Sequence, residues 1–129
     1  MIAVDTNVIV RLLTLDDQGQ SKKAKKLLAE NKIFIPDTVL LETEWVLRFA
    51  YNFSAEVINT SLKKLLGLPN ISMRDSAAVA QAFNWHKKGM DFADAFHLAQ
   101  SQHCSAMATF DKKFRKTAAN IQQCPLLKP

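Results

Sequence analysis

Short apolar blocks alternate with longer helical patterns from one end of the chain to the other. Ile2-Ala3-Val4 reads as a buried strand, halted by Asp5-Thr6-Asn7 before Val8 to Leu13 resumes as a short helix. Ser21 to Asn31, SKKAKKLLAEN, predicts a helix with a basic outer face, starting near Asp16. Ile33-Phe34-Ile35 is a second strand, stopped by Pro36-Asp37, and Thr38 to Tyr51 is a third helix. Ser54 is a good N-cap for the next helix, which the breakers Gly67-Leu68-Pro69 end. Ile71-Ser72-Met73 predicts a third strand. Asp75 or Ser76 then caps a helix to about Lys88, closed by Gly89. Asp91 to Cys104 follows as a helix, and Ala106 to Thr109 as a fourth strand ending at Phe110-Asp111.

Strands that alternate with helices imply crossover connections, a parallel sheet and helices on both of its faces. In such sheets ligands bind beyond the carboxyl ends of the strands. Asp5 follows the first strand directly and Asp111 the fourth, so a single sheet would bring the two carboxylates to one edge.

Helix periodicity adds further carboxylates. Glu42 shares a stripe with Val39, Trp45, Val46 and Phe49, the spacing of a core-facing surface. A Glu among apolar neighbours must be paired, protonated or bound to a cation. Glu44 lies on the opposite side with Leu40, Leu47 and Tyr51, and is the easier of the two to leave in water. Because that side is also apolar, the helix predicts an interface with a partner. Asp91 and Asp94 share a face with Leu98 and Ser101. Asp91 is placed as an N-cap or auxiliary group, and Asp94, further inside the helix, as the functional residue. His97 reads as a structural or surface histidine.

The acidic set is therefore Asp5, Glu42, Asp94 and Asp111, with Asp91 beside it. Four carboxylates together repel unless some hold protons or cations neutralise them. Oxygen ligands suit Mg²⁺ or Mn²⁺, one or two ions, and no Cys/His cluster suggests zinc.

Charge sharpens this picture. The 129 residues carry 17 Lys and Arg against 12 Asp and Glu, a net charge of +5 that favours a polyanionic partner. An acidic metal site in a basic protein fits phosphodiester chemistry. Most paired lysines are solvated helix faces. Lys112, Lys113, Arg115 and Lys116, which follow Asp111, and Arg11, one short helix from Asp5, are the candidates for nucleic-acid contact.

The remaining composition bounds the class. The length predicts one domain over 1–129 with a real core. No stretch approaches the roughly 18 apolar residues of a membrane span, and no signal peptide is expected. Cys104 and Cys124 match no metal or CxxC spacing and read as reduced thiols of a cytoplasmic protein.

Four segments together carry a resemblance: the opening IAVDTNVI, LLETEWVL, DFADAFHLA and ATFDKKF. In this order and at these intervals the chain resembles a PIN domain, most closely the VapC-type toxin nucleases of bacterial toxin–antitoxin pairs. The resemblance implies a three-layer α/β/α sandwich around a parallel sheet. It implies a Mg²⁺- or Mn²⁺-dependent ribonuclease, usually a homodimer, inhibited by a cognate antitoxin. By matching position it assigns Asp5, Glu42, Asp94 and Asp111 to the acidic site. Asn7 becomes a support for Asp5, and Thr109 a supporting hydroxyl. Two other readings compete. A haloacid-dehalogenase-type phosphatase also starts with an Asp after its first strand, but needs a second Asp where this chain has Asn7. A non-catalytic PIN-fold module that binds nucleic acid or protein would not need all four carboxylates.

Overall fold

The computed structural model describes residues 1–121 and 124–129, which form two compact units, 1–74 and 75–129.

The first unit runs β1 (Ile2–Ala3), α1 (Thr6–Leu13), α2 (Gln18–Glu30), β2 (Ile33–Phe34), α3 (Asp37–Phe49), α4 (Ala55–Leu66) and β3 (Ile71–Ser72). Its strands pair in parallel in the order β1-β2-β3, with Ile2 opposite Ile33 and Ile33 opposite Ile71. Three of its four helices start at a side-chain cap. Asp5, Asp17 and Ser54 accept backbone N–H groups of Val8, Gln20 and Val57, which satisfies donors the first turn leaves open. In α2 the buried residues are Ser21, Ala24 and Leu28, spaced by a helical turn, so the lysines between them stay in water. In α4, Ile58, Leu62 and Leu65 are buried. Gly67 is the C-cap of that helix, where an added Cβ would meet the Lys63 carbonyl oxygen at 3.2 Å.

The faces of α3 are the reverse of the expectation. Leu40, Thr43, Glu44 and Leu47 are buried, whereas Glu42 is exposed and Trp45 and Phe49 are more than half exposed. Both stripes of this helix are apolar, so periodicity alone did not rank them. Glu44 can enter the core because Arg48, one turn on, pairs with it at 2.9 Å. Outside, Trp45 and Phe49 lie against each other with ring centroids 5.2 Å apart, and the Arg48 guanidinium covers the Phe49 ring. A recess of about 960 Å³ lies between α1, α2, α4 and the turn before β3. Its apolar wall includes Leu12, Leu28, Leu65 and Leu68, with Lys25, Lys32 and Lys64 and one carboxylate, Glu30, around it.

The second unit runs α5 (Ser76–Lys87), α6 (Phe92–Ala99), β4 (Met107–Ala108), α7 (Lys112–Thr117), a 3₁₀ turn (Ala118–Asn120) and β5 (Leu126–Leu127). Asp75 caps α5, and Gly89 follows it at φ +104°, a conformation that disfavours residues with a Cβ. Helices α5 and α6 pack through Phe83, His86, Phe92 and Phe96, with Phe83 and Phe92 centroids 5.1 Å apart. Fully burying each such phenylalanine contributes about 2–3 kcal/mol.

Helix α6 stops at Ala99, well short of Cys104. Strand β4 pairs in parallel with β5, which the sequence did not suggest. The strands before Asp5 and Asp111 thus belong to different hydrogen-bonded ladders, not to one sheet. Cys104 and Cys124 are free thiols, the second of them buried.

Candidate active site

Asp5 stands just past β1, where Val4 still donates to the Phe34 carbonyl at 3.2 Å. Its Oδ1 accepts the Val8 N–H at 3.3 Å, so the cap fixes the carboxylate at the carboxyl end of the strand. The next residue, Thr6, is buried, and its hydroxyl donates to the Glu42 carboxylate. This bond ties α3 to the start of α1 and brings Glu42 to the neighbourhood of Asp5. Thr6 is absent from the residues expected at the site; its place inside Asp5-Thr6-Asn7 was the available signal. Asn7 is exposed and makes no hydrogen bond to Asp5.

Arg11 does not simply reach into water. Its Nε donates to Gln20 at 2.6 Å, and its Nη1 donates to Asp16 at 3.0 Å and to Tyr51 at 3.4 Å. The Tyr51 hydroxyl donates to Asp16 at 2.5 Å, and Thr14 donates to the same carboxylate at 2.9 Å. These two hydroxyls, with the Arg11 charge, hold Asp16 below the ordinary carboxylate value.

In the second unit, Asp91, Asp94 and Asp111 line one cavity of about 330 Å³, together with Lys113 and Thr117. Asp91 caps α6 by accepting the Asp94 N–H at 3.2 Å. Asp111 caps α7 by accepting the Phe114 N–H at 2.9 Å. The Thr109 hydroxyl accepts the Asp111 N–H at 3.0 Å, and Arg115 donates to the Thr109 carbonyl at 3.1 Å. Thr109 and Arg115 therefore brace the turn that carries Asp111. Lys112 and Lys116 are exposed, while Lys113 lies at the cavity.

Asp94 carries the clearest electrostatic signature. Burial first, then the Asp91 and Asp111 carboxylates, push its carboxyl above the ordinary value, with His97 opposing them weakly. Among the described residues, no three His, Cys, Asp or Glu side chains are gathered tightly enough to enclose a metal ion. The donor set still fits a Mg²⁺-like ion. Such an ion takes one or two carboxylates, keeps several waters and relieves the repulsion that Asp94 feels.

Residues 2–120 match the PIN domain family, and the chain belongs to it. Its fold is accordingly the α/β fold of that family, with parallel strands and seven α-helices among the described residues. Among solved structures it is similar to VapC20 of Mycobacterium tuberculosis, a sarcin-ricin loop cleaving toxin. The two are 21% identical over 97% of this chain and 99% of that one, with a TM-score of 0.44. No curated protein matches the chain in sequence. No helix among the described residues is long and apolar enough to cross a membrane.

Proposed function

We propose that this chain is a VapC-type toxin: a Mg²⁺- or Mn²⁺-dependent endoribonuclease acting in the cytoplasm as one nuclease domain over 1–129. The observation that carries the reading is the crowding of Asp91, Asp94 and Asp111 around one cavity beside Lys113, in a chain of the PIN domain family.

Asp94 and Asp111 would hold the cation, with Asp5 and Glu42 completing the acidic set and Asp91 as an auxiliary. When bound, the ion polarises the scissile phosphate and lowers the pKa of the attacking water. The rest is the work of side chains. Lys113 places a positive charge at the cavity for the RNA phosphate. Lys112 and Lys116 extend that charge along α7. Thr6 keeps the Glu42 carboxylate pointed toward the start of α1, where it can orient water or accept a proton.

Two partners follow from exposed surfaces. The adjoining, exposed Trp45 and Phe49 on α3 offer a homodimer contact, on the face opposite to the one expected from sequence. The lysine-bordered apolar recess offers a seat for an acidic amphipathic segment of a cognate antitoxin.

The test is cleavage of a labelled mixed RNA pool by the purified chain with Mn²⁺, with EDTA and as Asp5→Ala. Cleavage that needs the metal and disappears in the variant supports the reading. Full activity of metal-supplied Asp5→Ala overturns the assignment.

A further inference from the structure

A second cavity in the 1–74 unit starts at Asn7, two residues beyond Asp5. It holds about 370 Å³ between α1 and α2. Its walls are Val8, Ala24 and Leu27, its amides are Asn7 and Gln20, and its cations are Arg11 and Lys23; no carboxylate lines it. We propose that this cavity receives one unpaired nucleobase of the RNA strand, with an adjoining phosphate on Arg11 and Lys23, and so contributes to the choice of cleavage site. The proposal rests on the ribonuclease reading for its ligand.

Five features fit that occupant. Apolar walls accept the face of a base; the Asn7 amide can bond donors and acceptors of its edge, and the Gln20 amide, whose Oε1 already accepts from Arg11, can still donate. The two cations complement a phosphodiester. The space suits one nucleotide but is short for a protein helix. Finally, Arg11 is held in place beforehand by Gln20, Asp16 and Tyr51, so little side-chain freedom remains to be lost on binding. A base within a duplex has no access to such a pocket, so the bound strand must be unpaired there.

The experiment uses the full chain in EDTA, where no metal-dependent cutting intervenes. The probe is a fluorescein-labelled ten-nucleotide single-stranded RNA containing one 2-aminopurine. Lys23→Ala and Gln20→Ala should each weaken binding about fivefold, while Lys26→Ala, on the same helix but outside the cavity, stays within about twofold. Lys23→Ala should also reduce the slope of log affinity against log salt by about 0.7, one phosphate contact. Ala24→Leu, checked for folding by circular dichroism, should abolish the 2-aminopurine emission change on binding. In Mn²⁺, sequenced ends of a random RNA pool should show Gln20→Ala altering base preference at one fixed position from the cut. Equal affinity of Lys23→Ala, Gln20→Ala and Lys26→Ala, with unchanged 2-aminopurine emission in Ala24→Leu, overturns the pocket. If the parent chain binds RNA with this variant pattern but leaves it uncut in Mn²⁺, the nuclease reading fails and the pocket stands.

Discussion

The carboxylates of the two units are held in different ways. In 1–74, Asp5 accepts a backbone N–H and Glu42 accepts a hydroxyl, so each has a donor from the protein. In 75–129, Asp91 and Asp111 are also caps, but with Asp94 they face a shared cavity, and Asp94 bears the cost. The first arrangement positions charge. The second concentrates it around one cavity. A carboxylate satisfied by its own protein can be precise without being strained; one crowded by its neighbours is where an ion has most to contribute.

The largest expected effect tests the crowded group. Asp94→Asn and Asp111→Asn should each lower metal-dependent cleavage by more than about 10²-fold, beyond the usual effect of a supporting residue, with the fold retained by circular dichroism. Next comes the inverted helix. Arg48→Ala leaves the Glu44 charge inside the core and should cost about 3 kcal/mol in urea unfolding. Glu42→Gln, on the exposed face, should cost less than about 0.5 kcal/mol. Equal costs would break the assignment of faces. Thr6→Val removes the donor to Glu42 and should reduce the cleavage rate about tenfold.

The smallest effect concerns pH. Asp94 has a raised folded-state value, so between the ordinary carboxylate value and that raised value the folded chain binds more protons than the unfolded one. Stability from this group therefore falls as pH rises through that window, and the deficit persists at neutral pH. In EDTA at pH 7, Asp94→Asn should melt about 2 °C higher than the parent, a modest gain because the carboxyl is only part-buried. Below the ordinary carboxylate value the difference should close. Adding Mg²⁺ should raise the melting temperature of the parent and not of the variant.

The start of each main element was legible because its signals are local. Ser54 and Asp75 cap helices, and Gly67 and Gly89 close them. The carboxylates Asp5 and Asp111 stood out because each follows an apolar run. Other features rest on partners that periodicity does not see. The buried side of α3 includes Glu44, which pairs with Arg48, and their spacing of four was the clue to it. Strand β5 has two residues, Leu126–Leu127, too few to show any alternation. Helix α7 was announced only by Asp111 as a cap three residues before Phe114. Thr6 and the Arg11–Asp16–Tyr51 group join residues as many as 40 positions apart, which no local window contains.

Three of the acidic residues, Asp5, Asp91 and Asp111, are also the N-caps of helices. If the proposed toxin role holds, this double duty shapes what genetics would recover from selection against the chain. An Asp111→Asn allele keeps the cap, because asparagine caps about as well as aspartate, and it yields abundant, inactive protein. Asp111→Ala loses about 1 kcal/mol as well, enough to lower the amount of protein in a cell. Alleles of the first kind would still occupy antitoxin and so release any active toxin beside them; alleles of the second kind would do so less. Two substitutions at one codon would thus be alike in catalysis and unlike in dominance.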